Sequence, residues 1–407
     1  MQSFSNLFQK YINNFRGFSR EVWILAIITF INRAGTMVLP FLSKYLKEDL
    51  HFSYSQVGWI MVFFGIGSFL GSYLGGKLTD KIGFYKIMIF SLFTSGVLFL
   101  VIQFVTSFWG LCFAMFVIMT IADMFRPAMF VSLGTFASPE MRPRAFTLVR
   151  LAVNLGFAAG PAIGGLIIMN MGYSGLFWVD GLTCIVAIVV FAFFVKEKKN
   201  VKNQADHLDL LHNKKSILAD PDFCIFLYVC FATAMIFFQI FSTLPLYHHE
   251  KYGMTEFQTG LLLTMNGFLI FLLEMPIVSY FERHKTSKLK IIYWGSVAMS
   301  LAFFVLLFDN WVGILVLSML LITLGEMFIF PFSNAFALSR APKGQEGKYM
   351  AFFTMSFSLA HIGSSKFGMD VVSRYGYATN WILMGFLGIS SVIACWYLIK
   401  RRSKSNV

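Results

Sequence analysis

Among the ionisable side chains inside stretches of otherwise apolar residues, eight stand out: Arg33, Asp123, Arg126, Arg150, Glu274, Glu326, His361 and Lys366. If those stretches cross a bilayer, each charge costs about 2.5–3.5 kcal/mol to insert, so it implies a task such as holding a charged solute or carrying a proton. Arginine suits an anion, because its planar fork takes a carboxylate through two parallel hydrogen bonds. Arg33 is therefore the expected anion hook, with Arg126 and Arg150 adding to it, and a structural charge paired with a carbonyl is the alternative. A half-buried carboxylate near an arginine can titrate close to neutral pH. Glu326 is the expected proton carrier and Glu274 the second candidate, unless Glu274 closes a gate with Arg340 or Lys343. His361 is a candidate relay. Asp123 and Arg126 are three apart and share a helix face, so they can neutralise each other; the other reading pairs Arg126 with Glu326. Gln239 completes the expected substrate-binding set of Arg33, Asp123, Arg126, Arg150 and Glu326.

Positioning these groups requires membrane-spanning elements. The 407 residues are 57% hydrophobic and 13% charged, whereas soluble domains carry about 25% charged residues. Apolar runs long enough to cross a bilayer are read near 22–45, 55–78, 86–106, 109–134, 145–170, 175–196, 222–246, 257–280, 290–308, 311–336, 350–373 and 380–399. They read as helices, since backbone polar groups in lipid must bond within their own segment. The expected fold class is an all-α membrane protein with 12 transmembrane helices in two parallel, pseudo-symmetric six-helix bundles, at 1–196 and 221–407, joined by a linker at 197–220.

The net charge of +13 sits in alternate loops, among them Lys81 and Lys86, Arg142 and Arg144, Lys196 to Lys215, Arg283 to Lys290, Arg340 to Lys348, and Lys400 to Lys404. The positive-inside rule explains this better than nucleic-acid binding and puts both termini in the cytoplasm. The first run reads as a retained helix, with no small-residue cleavage site after it. The five cysteines fall in apolar runs without metal-ligand spacing. His248, His249 and Glu250 lack further ligands nearby, so no metal is expected, and no cofactor. Asp180, near Trp178, is expected at the outer interface.

The chain repeats itself. Gln56 matches Gln258 and Asp80-Lys81 matches Glu282-Arg283, both at an offset of 202; Leu39-Pro40 matches Leu244-Pro245 at 205, and Pro127 matches Pro331 at 204. An offset of six spans preserves orientation, so the repeat is parallel, a design in which one half can rock against the other around a central site.

The loop Gly76-Lys77-Leu78-Thr79-Asp80-Lys81-Ile82-Gly83-Phe84-Tyr85-Lys86 resembles the signature loop of the major facilitator superfamily, departing at Phe84 and Tyr85. The resemblance implies a gating role for Gly76, Asp80, Lys81, Gly83 and Lys86, with an acidic group latching a helix end. Gly156, Gly160, Pro161, Gly164 and Gly165 resemble the motif of the superfamily's proton-coupled antiporters; glycines one turn apart let helices approach closely and Pro161 bends the helix. An Arg expected early in the fourth run is absent, since Cys112-Phe113-Ala114-Met115 stands there. Arg33 and Arg126-Pro127 are similar to positions of the proton-dependent oligopeptide family, whose acidic pair in the first span is missing here.

The resemblance implies a secondary transporter of the plasma membrane (the bacterial inner membrane), not an enzyme. The expected partners are a small-molecule substrate, protons and the lipid bilayer, with no nucleic acid, and the expected state is a monomer. Drug/proton antiport leads, with uptake of peptides or organic anions second. A non-transporting receptor or scaffold is the alternative of another class.

Overall fold

The computed structural model describes residues 17–35, 37–138, 142–197, 220–342 and 346–405. Among the described residues the regular elements are all helical. They are α1 (Arg20–Ala34), α2 (Val38–Lys44), α3 (Tyr54–Ile82), α4 (Phe84–Ile102), α5 (Phe108–Ala122), α6 (Phe125–Phe136), α7 (Arg142–Phe194), α8 (Pro221–Phe237), α9 (Thr243–Tyr252), α10 (Glu256–Arg283), α11 (Lys288–Val305), α12 (Gly313–Arg340) and α13 (Glu346–Ser405). A π-helical turn, Tyr45–Asp49, continues α2, and a 3₁₀ turn, Phe238–Phe241, joins α8 to α9.

Among the described residues, ten stretches are long and apolar enough to cross a membrane. Two of them, Leu148–Phe194 and Phe352–Arg402, run to 47 and 51 residues. At 1.5 Å per residue, unbroken helices of those lengths would run about 70 and about 77 Å, more than twice the roughly 30 Å of bilayer hydrocarbon. Both are interrupted once, at Gly172 (φ 69°) and Gly376 (φ 79°). A side chain would be strained there, so glycine makes the turn that divides each stretch. Gly172 and Gly376 are 204 apart, inside the offset range of the repeat.

Packing divides the chain into two compact units, one of Met1–Val38 with Ile66–Val201 and one of Leu39–Gly65 with Lys202–Val407. The units follow contacts rather than chain order, so the boundary falls inside α3. The linker read at 197–220 lies almost entirely outside the described residues. In the first unit, Val22, Leu25 and Ile28 of α1 pack with Met88 and Leu92 of α4, Ala128 and Met129 of α6, and Val149 and Phe191 of α7. In the second, Phe303 of α11, Ile322 of α12 and Trp381 of α13 share one cluster, and Phe226 of α8, Phe336 of α12 and Leu398 of α13 share another.

Local chemistry sets the helix starts. Ser19 and Ser107 cap α1 and α5 by accepting from Val22 N and Gly110 N. Ser53 and Gln56 form a reciprocal capping box, Ser53 N to Gln56 Oε1 at 3.0 Å and Gln56 N to Ser53 Oγ at 3.3 Å. Thr255 and Gln258 repeat it at the same two distances. The matched glutamines of the sequence repeat are thus the third residues of two equivalent capping boxes. Asp220 caps α8, with Pro221 in the first turn where its missing N–H costs nothing.

Candidate functional site

Arg33, Asp123 and Arg126 of the first unit gather where two helices break. α1 ends at Ala34 and α2 resumes at Val38. α5 ends at Ala122 and α6 starts at Phe125, leaving Asp123 as the cap of α5. Pro127 explains the second break: it cannot donate to the carbonyl of Asp123, and its ring crowds that carbonyl. Broken helices place freed backbone and charged side chains at membrane depth, as transporter binding sites require.

Arg33 sits on the last turn of α1, its guanidinium 5.7 Å from the centre of the Phe157 ring. Its Nε is buried without a hydrogen-bond partner among the described residues. The carboxylate of Asp123 accepts from Ser68 of α3 and lies within electrostatic reach of Arg33 and Arg126. The structure thus brings Arg33, Asp123 and Arg126 together within one unit. Arg126 is exposed, and so is Arg150 on α7.

The glycine motif of α7 explains how Arg33 is set. A Cβ at Gly156 would stand 2.7 Å from Arg33 Cβ, and one at Gly160 would stand 3.0 Å from Ala34 O. The helices meet backbone to backbone beside the arginine, and Pro161, Gly164 and Gly165 are buried on the same helix. A second stripe does the same for Asp123. Gly67, Gly71 and Gly75 of α3 face the backbone of Phe116, Thr120 and Met124 at 2.3–2.6 Å from where a Cβ would lie. Gly67 therefore serves helix packing.

In the second unit, Glu326 is half-buried on α12 and accepts from Asn266 Nδ2 of α10 at 3.2 Å. The same amide reaches Thr323 Oγ1 at 3.0 Å. Glu274 is buried on α10. His361 lies between the rings of Phe64 and Phe238, at 5.6 and 4.4 Å. Gln239 is fully buried in the 3₁₀ turn: it donates to the carbonyl and hydroxyl of Ser364 at 3.0 and 2.9 Å, and its oxygen accepts from Thr243 and Asn380. In this arrangement it ties α8, α9 and α13 together. Lys366 pairs with Asp370, bonds Ser55 Oγ at 3.1 Å and lies 5.2 Å from the Trp59 ring.

Two expectations change. Asp180 is enclosed by protein rather than facing its surroundings: it is 2% exposed, and its two oxygens accept from Met37 N and Val38 N at 3.0 Å each. Arg340 binds Asp220 through Nε and Nη2, both at 2.8 Å, so it serves the start of α8 rather than a gate with Glu274; Lys343 lies outside the described residues. Burial would raise the Asp220 carboxyl, but the Arg340 bonds, the Phe223 N–H and Tyr349 outweigh it and hold it below its ordinary value. Glu250 accepts from Tyr54 and Tyr377, and His249 faces Glu48 and the carbonyl of Met254. In the signature loop, Gly83 takes φ +91° between α3 and α4, Gly76 has open space where a Cβ would be, and Lys81 and Lys86 are exposed. The side chain of Asp80 lies outside the described ones.

Sequence reasoning passed over Ser68 and Asn266. Both are short polar residues within apolar runs, and nothing in the sequence ties them to partners 55 and 60 residues away.

Apolar helices that cross a bilayer, break beside buried charges and meet through glycines define a polytopic transporter. The chain belongs to the Major Facilitator Superfamily, whose sequence profile matches residues 25–365. It is 27% identical over 400 residues to the uncharacterized MFS-type transporter YttB of Bacillus subtilis (strain 168), covering 95% of this chain and 96% of that one. It is 21% identical over 412 residues to a Na(+), Li(+), K(+)/H(+) antiporter of Planococcus maritimus, covering 93% and 96%. The fold matches the crystal structure of a POT family transporter in complex with 5-aminolevulinic acid, with a TM-score of 0.78 at 16% identity over 96% of this chain and 97% of that one. The chain is accordingly a multi-pass membrane transporter and not an enzyme.

Proposed function

We propose that this protein is a proton-coupled antiporter of small organic solutes carrying an acidic group, working by alternating access across the bacterial inner membrane. Arg33 holds the acidic group, with Arg126 and Arg150 steering it. Glu326, oriented by Asn266, carries the proton. The observation that carries this reading is the buried Nε of Arg33, unpartnered among the described residues, beside the Asp123 carboxylate. A buried donor left unmet is costly, and an arriving carboxylate supplies the missing acceptor. Antiport is supported by the glycine motif on α7 and by the relative named as an antiporter. Division of the two long helices at Gly172 and Gly376 supports twelve spans in two parallel six-helix halves, with both termini cytoplasmic. The working unit is a monomer, and the driving force is the proton gradient, with no cofactor.

The second reading is proton-coupled uptake of peptides or organic anions. The amide–carboxylate pair Asn266–Glu326 favours it, because it offers acceptors to an amine while the arginines take a carboxylate. Proteoliposomes under an imposed pH gradient separate the readings with three probes: dialanine, 5-aminolevulinic acid and the cationic dye ethidium. Proton-driven export of the zwitterions, with KM raised about 10–100-fold by Arg33→Ala, is the expected result. Accumulation along the proton gradient would favour the uptake reading. Transport of ethidium alone would refute the acidic-group assignment.

A further inference from the structure

Resting on the reading of Arg33 as the anion hook, we infer that Asp180 is a positioning residue that fixes the break between α1 and α2 and so aims Arg33. Its two carboxylate oxygens accept the N–H groups of Met37 and Val38 at 3.0 Å each, the Met37 N–H also reaching Gly35 O at 2.8 Å, and it is 2% exposed. The first donors of a helix have no acceptor within it, and a carboxylate answers both the bonds and the positive end of the helix. Thr183 and Cys184, three and four residues on, lie on the same face of α7. A Cβ at Gly35 would stand 2.0 Å from Thr183 Oγ1, and Cys184 Sγ accepts from Asn32 Nδ2 at 3.5 Å. One face of α7 thus touches residues 32, 35, 37 and 38. Gly156 and Gly160, on the same helix before its turn at Gly172, touch residues 33 and 34. The backbone carrying Arg33 is held from both sides, and among the described residues the charged member of that grip is Asp180.

Asp180→Asn keeps the volume but turns an amide toward a backbone donor. Two chemical readouts follow the grip without any substrate: N-ethylmaleimide labelling of Cys184 and phenylglyoxal modification of Arg33, both by mass spectrometry on the full-length protein. The expectation is that both rates rise about tenfold, and that the KM for dialanine rises by a similar factor with the maximal rate within about twofold. Unchanged rates in a variant that elutes as a single sharp peak would overturn the inference, and so would faster labelling with an unaltered KM. Hydrogen exchange at Met37 and Val38 in the unmutated protein covers the case of a variant that does not fold: slow exchange is expected, and fast exchange overturns the assignment. An unaltered dialanine KM in Arg33→Ala would instead sink the anion-hook reading while leaving the labelling and exchange results standing.

Discussion

At the scale of residues, what matters is which polar groups have been given partners. Gln239 shows one outcome, an amide saturated by Ser364, Thr243 and Asn380. Arg33 shows the other, a charge whose Nε is left without one among the described residues. His248 shows a third. It is buried with Nδ1 unpartnered among the described residues, and burial together with the charge of Lys44 pushes its pKa down to about 3 from 6.5. It therefore stays neutral in the folded protein, while the unfolded chain takes a proton near 6.5. Its share of the stability is complete above pH 6.5 and is lost as the pH falls from there toward 3, a loss of about 2 kcal/mol at pH 5. Asp220 is depressed in the same sense but acts lower, below 3.8. His248→Leu should accordingly shrink the drop in unfolding temperature between pH 7 and pH 5. An equal drop in both proteins would show that this histidine is not buried neutral.

At the scale of elements, the glycines separate into those that pack and those that do not. A methyl at Gly71 would meet the Thr120 carbonyl oxygen at 2.3 Å, a backbone atom that can move only with its helix. A methyl at Gly76 would meet nothing within 4 Å. Gly71→Ala should lower the unfolding temperature by several degrees, about 1–3 kcal/mol of overpacking, whereas Gly76→Ala should leave it within about a degree. If Gly76→Ala also abolishes transport, the signature loop acts in function rather than in folding. Equal destabilisation by both changes would contradict the packing described for α3.

Elements are also where the sequence was most and least legible. The capping glutamines Gln56 and Gln258, and the prolines Pro127 and Pro331, stood out because the repeat places them at matched offsets. Their effects diverge all the same: α5 and α6 break at Asp123–Met124, whereas α12 runs unbroken through Pro331. A proline removes one hydrogen bond in either case, and whether the helix opens depends on neighbours from distant sequence. Arg33 and Glu326 were legible as charges in apolar runs. Ser68, Asn266 and the capping role of Asp180 were not, because short polar residues are common in apolar runs and their partners lie 55, 60 and 143 residues away.

At the scale of the whole molecule, the two units carry different chemistry. The first gathers Arg33, Asp123 and Arg126, and the second holds Glu326 with Asn266 and the buried Glu274. Such a division suits an exchanger in which solute and proton are bound by different groups. The most direct test of that claim is solute-driven proton movement in pyranine-loaded proteoliposomes. Dialanine or 5-aminolevulinic acid supplied on one side should change the lumenal pH with the unmutated protein, and Glu326→Gln should abolish the change while still binding the solute. Proton movement that survives Glu326→Gln at its full rate would contradict the account.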